Sequence, residues 1–555
     1  MIPVVAAVVV AFIVTVRFTV FSHDRIRRAR WRIRFRLQPG PGFASAAELV
    51  VRWGRAAALH HGRRARPSLP LYWRRWTRTT DFAVRLGRGP WFRRCYARLE
   101  DQVLIMAAPR TGKSGMVADR LLDHPGPVLA TSTRADLYEA TAGVRGSLGP
   151  VRVFNPQGVG AVPSTFKFDL VGPCSDIVAA TRMAAWLKTP GVGNDLKWFQ
   201  DKGDVALTAL LWAAAVTGRS ILDIYEWVHL YGHQTCLQIL AEHPGASASG
   251  HRLMYAVAKR MFDENRTSGS VRDTIDLTLS WAILPGLAEA VTPRSGEGFS
   301  VADFTQRCGT LYLIAAGDDD SKLTPLSRAV ASWVHYEAGQ VGSQGRYRRL
   351  DPPLLMALDE VTQICPVDLP VMLSDSAGKG VLITAVAHSV SQLENRWGKH
   401  GADTIWSTCG TKVLLGSISD PDTLERASKV CGTSGEGDSK ESVVPPELLR
   451  MLPDWWALVI RMNLRPVIVK VRPVWRRLAY RLGRHPLPVP VPRPLPVRAS
   501  PASRPAAAAQ PAEPVQPGLQ LARWPAVTAP VAVVSANGNG SGHKPAEQGS
   551  EGGHP

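Results

Sequence analysis

Paired cysteines are missing from this sequence. Its seven cysteines, Cys95, Cys174, Cys236, Cys308, Cys365, Cys409 and Cys431, form no C-x-x-C pair, and their number is odd. That spacing argues against a disulfide framework and a zinc site, and fits a reduced body with buried thiols. Acidic residues are scarce at one end. Residues 1–100 hold 21 Arg and Lys against four Asp and Glu, so most of the formal net charge of +20 lies there and the rest of the chain is close to neutral. The anionic surface this implies, lipid headgroups or nucleic acid, is expected near that end. Large apolar side chains are few from about His485 onward, where Pro, Ala, Gly and Ser dominate. Such a stretch cannot bury enough surface to order itself, so residues 485–555 are predicted to be a disordered tail.

Charge is also missing from residues 2–16, which are almost unbroken apolar. Continuing to Phe21 gives about 30 Å of helix if Arg17 reaches the interface, enough to span a bilayer core. Arg25, Arg27, Arg28, Arg30, Arg32, Arg34 and Arg36 crowd the C-terminal flank, while the N-terminal flank has no basic side chain. The positive-inside rule then predicts one transmembrane anchor over residues 1–22, with the N-terminus outside and the body in the cytoplasm. A cleaved signal peptide would carry its charges at the other end. Residues 23–99 read as a basic membrane-proximal segment. Its Arg run with Trp31 and Phe35 fits anionic headgroups. Trp53, Trp73, Trp76 and Trp91, set among basic residues, could instead stack on nucleic acid. Residues 46–59 read as one amphipathic helix, and Arg52 and Arg55 argue against a second span.

The stretch that organises the chain follows. Val103, Leu104, Ile105 and Met106 read as a buried strand leading into Ala107, Ala108, Pro109, Arg110, Thr111, Gly112, Lys113, Ser114 and Gly115, where a helix opens. In a phosphate-binding loop the backbone N–H groups and helix N-terminus hold phosphate oxygens, the Lys reaches the outer phosphates, and the Ser hydroxyl ligates Mg²⁺. The full pattern asks for Gly where Ala107 stands. A second apolar run, residues 354–358, ends in Asp359 and Glu360. In ATPases of this kind the Asp helps hold the metal and an adjacent Glu can activate the attacking water. A third run, residues 380–386, is followed by His388, Ser389 and Gln392, a polar end placed to touch a γ-phosphate. Each has a bland reading: an ordinary strand-to-helix turn, two solvated acids, a surface His. Taken together they point to ATP and Mg²⁺.

Strands are also predicted at 128–131, 151–154, 310–314 and 412–416, and a closing hairpin at 456–471. Helices at 133–141, 323–338 and 422–430 alternate with them. Alternating strands and helices imply a parallel sheet covered on both faces. Residues 173–305 show only helical periodicity, so they are predicted to be an all-helical domain inserted into a motor made of residues 100–172 and 306–484. Within the insertion, Trp198, Trp212, Trp227 and Trp281 are expected in the core rather than as ligand platforms. Asp318, Asp319 and Asp320 read as N-terminal charges for the helix that follows.

With these parts placed, the chain resembles the type IV secretion coupling proteins, the membrane-anchored ATPases of bacterial conjugation, and their actinobacterial branch in particular. The resemblance rests on MAAPRTGKS at 106–114, VFNPQG at 153–158, MALDEV at 356–361 and the block at 369–432, and it covers roughly residues 75–475. It implies an α/β, RecA-like P-loop NTPase with a parallel sheet, an inserted all-helical domain and an N-terminal transmembrane helix, assembled as a homo-hexameric ring. It implies ATP hydrolysis that moves single-stranded DNA, with attached relaxase or another secreted substrate, to the type IV secretion channel. Carried over by position, residues 107–115 would bind the nucleotide, Ser114 and Asp359 would hold Mg²⁺, and Glu360 would activate water. His388 stands where Gln is usual. Lys379 stands where Arg is common, as a candidate cation acting in trans. One span is present where the family usually has two. Two other readings stand beside this one: a motor of the same fold with protein cargo, and a membrane scaffold that binds nucleotide weakly.

Overall fold

The structure is a computed structural model that describes residues 41–70, 76–188, 194–229, 233–243, 249–262, 266–294, 297–317, 323–435, 440–477 and 480. The predicted anchor at 1–22, the arginine run after it, Trp73, Asp318, Asp319, Asp320 and the tail at 485–555 lie outside the described residues. Among the described residues no helix is long and apolar enough to cross a membrane.

Two short helices come first, α1 (Ala46–Val51) and α2 (Arg55–Ala65), where a single helix was expected. Gly54 separates them, and Trp53 between them is fully buried. Strands β1 (Ala83–Arg88) and β2 (Arg94–Arg98) form an antiparallel hairpin that joins the main sheet through β1. The sheet therefore begins near residue 83, earlier than the boundary at Glu100. Arg85, Arg88, Arg94 and Arg98 are half-buried or exposed, while Val84, Leu86, Cys95, Tyr96 and Ala97 of the same strands are buried. That half-polar pattern is the one a sheet margin shows, and it reads as surface in a stretch already rich in Arg.

The next strands are short, mostly apolar runs, buried along their whole length except at the half-buried Arg152 of β5, as parallel strands covered on both faces should be. They are β3 (Val103–Met106), β4 (Val128–Ser132), β5 (Val151–Phe154), β6 (Thr310–Ile314), β7 (Leu354–Leu358), β8 (Val381–Ala387) and β9 (Thr411–Leu415). A two-residue ladder, β10 (Thr433–Ser434) with β11 (Glu441–Ser442), stands apart. The hairpin β12 (Trp456–Arg461) and β13 (Val467–Lys470) links β9 to β1. The main sheet has eleven strands in the order β2-β1-β13-β12-β9-β3-β8-β7-β4-β6-β5, parallel from β9 to β5.

Helices α3 (Lys113–Asp123) and α4 (Asp136–Gly146) connect the first parallel strands, α4 lying later than the 133–141 expected. The insertion holds α5 (Ile177–Leu187), α6 (Asn194–Val216), α7 (Ile221–His229), α8 (His233–Glu242), α9 (Ser249–Phe262), α10 (Arg266–Leu279), α11 (Pro285–Ala290) and α12 (Val301–Gln306). Then come α13 (Thr324–Gln344), α14 (Leu369–Lys379), α15 (Val390–Thr408), α16 (Pro421–Cys431) and α17 (Pro446–Arg450). Side chains alternate across each strand. Leu104, Met106, Leu311 and Leu313 thus share one apolar cluster with Trp212, Trp227 and Trp281 of the insertion, while Val103, Ile105, Tyr312 and Ile314 face the other way into a second. The inserted helices are continuous with the core on one sheet face.

Candidate active site

Parallel pairing brings three chain turns to one place. Strand β3 lies between β8 and β9, β7 lies beside β8, and Met106 pairs with Ala387. The residues that follow Met106, Leu358 and Ala387 therefore meet at the carboxyl edge of the sheet, where open α/β folds bind ligands.

Ala107 extends the ladder by one step. Its N–H donates to the Ala387 carbonyl at 3.2 Å, and its side chain is buried. The left-handed backbone falls on Arg110 (φ 64°) and Gly112 (φ 98°), not on Ala107. The departure from Gly at that position therefore needs no strained conformation. Thr111 closes the turn, its hydroxyl donating to the Ala108 carbonyl at 2.7 Å.

Lys113 opens α3 and is 7% exposed. Its ammonium donates to Glu360 Oε1 at 2.9 Å and to His388 Nε2 at 3.2 Å. An ammonium cannot accept, so Nε2 is the acceptor and the imidazole proton sits on Nδ1. Nδ1–H donates to the Ala107 carbonyl, with Nδ1 and the oxygen 3.0 Å apart. His388 thus bridges the loop and the lysine. Gln392 does not reach the cluster; its Oε1 accepts from the His388 N–H at 3.0 Å, and its own N–H donates to Ser389 Oγ, the cap of α15.

Ser114 Oγ donates to Asp359 Oδ2 at 3.4 Å. The Glu360 N–H donates to Asp359 Oδ1 at 3.1 Å, and Thr131 Oγ1 donates to the Asp359 carbonyl at 2.9 Å. Burial pushes the Asp359 carboxyl up to about 6, while Lys113 opposes the shift and Glu360 adds to it. A buried carboxylate beside a hydroxyl is a hard-oxygen donor pair, the set a small divalent cation takes when it keeps waters and phosphate oxygens as its other ligands. Glu360 adopts a left-handed backbone, φ 48°, in the turn that carries its side chain to Lys113.

Lys379 is not part of this cluster. It ends α14 before β8, whereas His388 follows β8, so the two are about 23 Å apart along the strand. Its ammonium pairs with Asp375. It does not reach the 107–115 loop of its own chain. Conversely, two residues that sequence reasoning passed over lie against that loop. A Cβ placed on Gly112 would come within 2.2 Å of the Trp455 ring, and one on Gly115 within 2.9 Å of the Trp475 ring. Their positions depend on contacts more than 300 residues apart, and no local signal marks them.

Residues 353–444 match a family model described as the TraM recognition site of TraD and TraG. The matched segment runs from β7 through β11 and carries Asp359, Glu360 and His388. No curated protein matches the chain in sequence. Among solved structures, the chain is similar to the bacterial conjugative coupling protein TrwBdeltaN70 in its unbound form, at 18% identity and a TM-score of 0.54, over 72% of this chain and 90% of that one. It is similar to plasmid coupling protein TrwB in complex with ADP and Mg²⁺, at 19% identity and a TM-score of 0.52, over 68% and 87%. TrwB in complex with the GTP analogue GDPNP gives 19%, 0.52, 67% and 86%. These likenesses establish the RecA-like α/β fold. Fold and matched segment bear out the resemblance to type IV coupling proteins read from the motifs; the actinobacterial branch belongs to the sequence reading alone.

Proposed function

We propose that this protein is a membrane-anchored ATPase that moves single-stranded DNA, with attached relaxase or another secreted protein, to a type IV secretion channel. The observation that carries the reading is the convergence of Lys113, Ser114, Asp359, Glu360 and His388 where β3, β7 and β8 end. The loop at 107–115 takes the triphosphate, with its N–H groups and the start of α3 facing the phosphate oxygens. Lys113 neutralises the outer phosphates. Glu360 accepts the proton of the water that attacks the γ-phosphorus as the bond to ADP breaks. His388 keeps Lys113 and the loop carbonyl of Ala107 in register. Ser114 and Asp359 would hold Mg²⁺, which supplies charge neutralisation to the β- and γ-phosphate oxygens.

A homo-hexameric ring is part of the proposal, with Lys379 reaching a neighbour's site in trans, because a head-to-tail interface whose rotation closes makes a ring. So are the anchor at residues 1–22, its contact with anionic lipids through the arginine run, and a cytoplasmic body. The match of residues 353–444 to a recognition-site family supports a protein partner docking on that segment. The test is ATP hydrolysis by the purified chain with and without single-stranded DNA. Stimulation by the DNA is the expected result. Hydrolysis indifferent to DNA would replace the DNA cargo with a protein one, and nucleotide binding without hydrolysis would leave only a scaffold.

A further inference from the structure

The two indoles beside the phosphate loop are held in place by features that loop chemistry does not require. Trp455 has a left-handed backbone, φ 66°, locked because its carbonyl accepts from the Val471 N–H at 2.8 Å. Trp475 stands on a short turn, Val474–Arg476, after β13. The next residue, Arg477, clamps that turn to α3: its Nε donates to Asp119 Oδ1 at 2.6 Å and its Nη2 to Asp123 Oδ1 at 2.7 Å. The two rings meet edge to face, centroids 5.0 Å apart. Trp475 is nonetheless 45% exposed. An indole fixed by a buried anchor at Val474 and two ion pairs, yet left half in water, is a platform rather than core.

Its location relative to the phosphates follows from the start of α3. The rings approach Gly112, the left-handed cap, and Gly115, in the first turn, whereas Ser114 of the same turn faces Asp359. Glu360, His388 and Lys113 mark the end where the terminal phosphate reacts. The opposite end of a bound nucleotide therefore leaves the loop on the glycine side, which Trp455 and Trp475 cover. The absence of Cβ at Gly112 and Gly115 lets the rings approach the loop backbone.

From this we infer that Trp455 and Trp475 form the base-binding platform of the site, with the purine stacking on the exposed Trp475 ring and Trp455 backing it. The inference rests on the phosphate-site reading above. A stacking surface has a partner in every purine, so it contributes affinity with little choice between adenine and guanine.

The experiment is calorimetric titration of the full chain and its Trp475→Ala, Trp475→Phe and Lys113→Ala variants with ATP, GTP and tripolyphosphate, all with Mg²⁺. Trp475→Ala should weaken ATP and GTP binding by between about 5-fold and 100-fold, the range for loss of one base–aromatic stack. Tripolyphosphate, which has no base, should bind Trp475→Ala as it binds the parent. Trp475→Phe should recover most of the ATP affinity, which separates lost stacking from a damaged fold. Unchanged ATP affinity in Trp475→Ala, or an equal loss for ATP and tripolyphosphate, would overturn the platform. Failure of the parent to bind tripolyphosphate, or indifference of that binding to Lys113→Ala, would overturn the phosphate-site reading and the platform with it.

Discussion

Asp359 is the residue whose burial and role pull in opposite directions. Burial raises its carboxyl from the ordinary 3.8 to about 6 in the fold. Below about pH 4 both states are protonated and the site costs nothing; above 6 the folded protein carries a buried carboxylate the unfolded chain would keep in water. Stability from this group is therefore lost as the pH rises from about 4 to 6, by about 3 kcal/mol at most. Asp359→Asn should stabilise the nucleotide-free protein by about 1–3 kcal/mol at pH 7.5, and the gain should shrink towards pH 5. Denaturant unfolding at the two pH values checks this; a variant less stable than the parent at pH 7.5 would show that the carboxylate is well solvated or paired. The same variant should lose Mg²⁺-dependent turnover, because the charge that burdens the fold is the one a cation would use. His388 makes the complementary case. Where the coupling proteins that the chain resembles usually have Gln, an imidazole with Nδ1–H on the Ala107 carbonyl and Nε2 on Lys113 offers a donor and an acceptor as well.

Among the elements, the join between β12 and the entry to β3 rests on a buried ion pair. Arg461 Nε lies 2.9 Å from Asp101 Oδ2, with side chains 5% and 3% exposed, and Thr411 Oγ1 donates to the same oxygen at 3.1 Å. Removing one partner leaves the other charged and dry, so Arg461→Met should cost about 3–5 kcal/mol. Replacing both, Arg461→Met with Asp101→Leu, should recover a large part, as read from urea midpoints; a single variant as stable as the parent would mean the pair is not buried. The elements nearest the site were legible in the sequence. β3, β7 and β8 are buried on both faces, and that burial demands the continuous apolar runs visible at residues 103–106, 354–358 and 381–387. Their carboxyl ends carry the loop, the two acids and the histidine, so the cluster could be assembled from strand ends alone. β1 and β2 were hidden because Arg85, Arg88, Arg94 and Arg98 break their apolar residues into short pieces. Trp455 and Trp475 were hidden because their role exists only once β12 and β13 have folded back beside α3.

The whole molecule is where the Lys379 expectation belongs. Within one chain Lys379 sits at the wrong end of β8, so any part it takes in hydrolysis must come across a subunit interface. Lys379→Ala and Glu360→Gln subunits, each inactive alone, should then regain some turnover when mixed, since some interfaces pair an intact acid with an intact neighbouring cation. No recovery at any ratio, with subunit exchange verified, would remove Lys379 from the trans role, and an active Lys379→Ala assembly would remove it from catalysis. In the proposed function, hydrolysis depends on the acid at the end of β7. Glu360→Gln keeps the shape of the side chain and loses the base. ATP binding and steady-state hydrolysis, measured side by side for this variant and the parent, should show retained binding with turnover reduced at least about 100-fold. Parental turnover with retained binding would contradict the assignment of this strand-end cluster as an ATPase site built around Glu360.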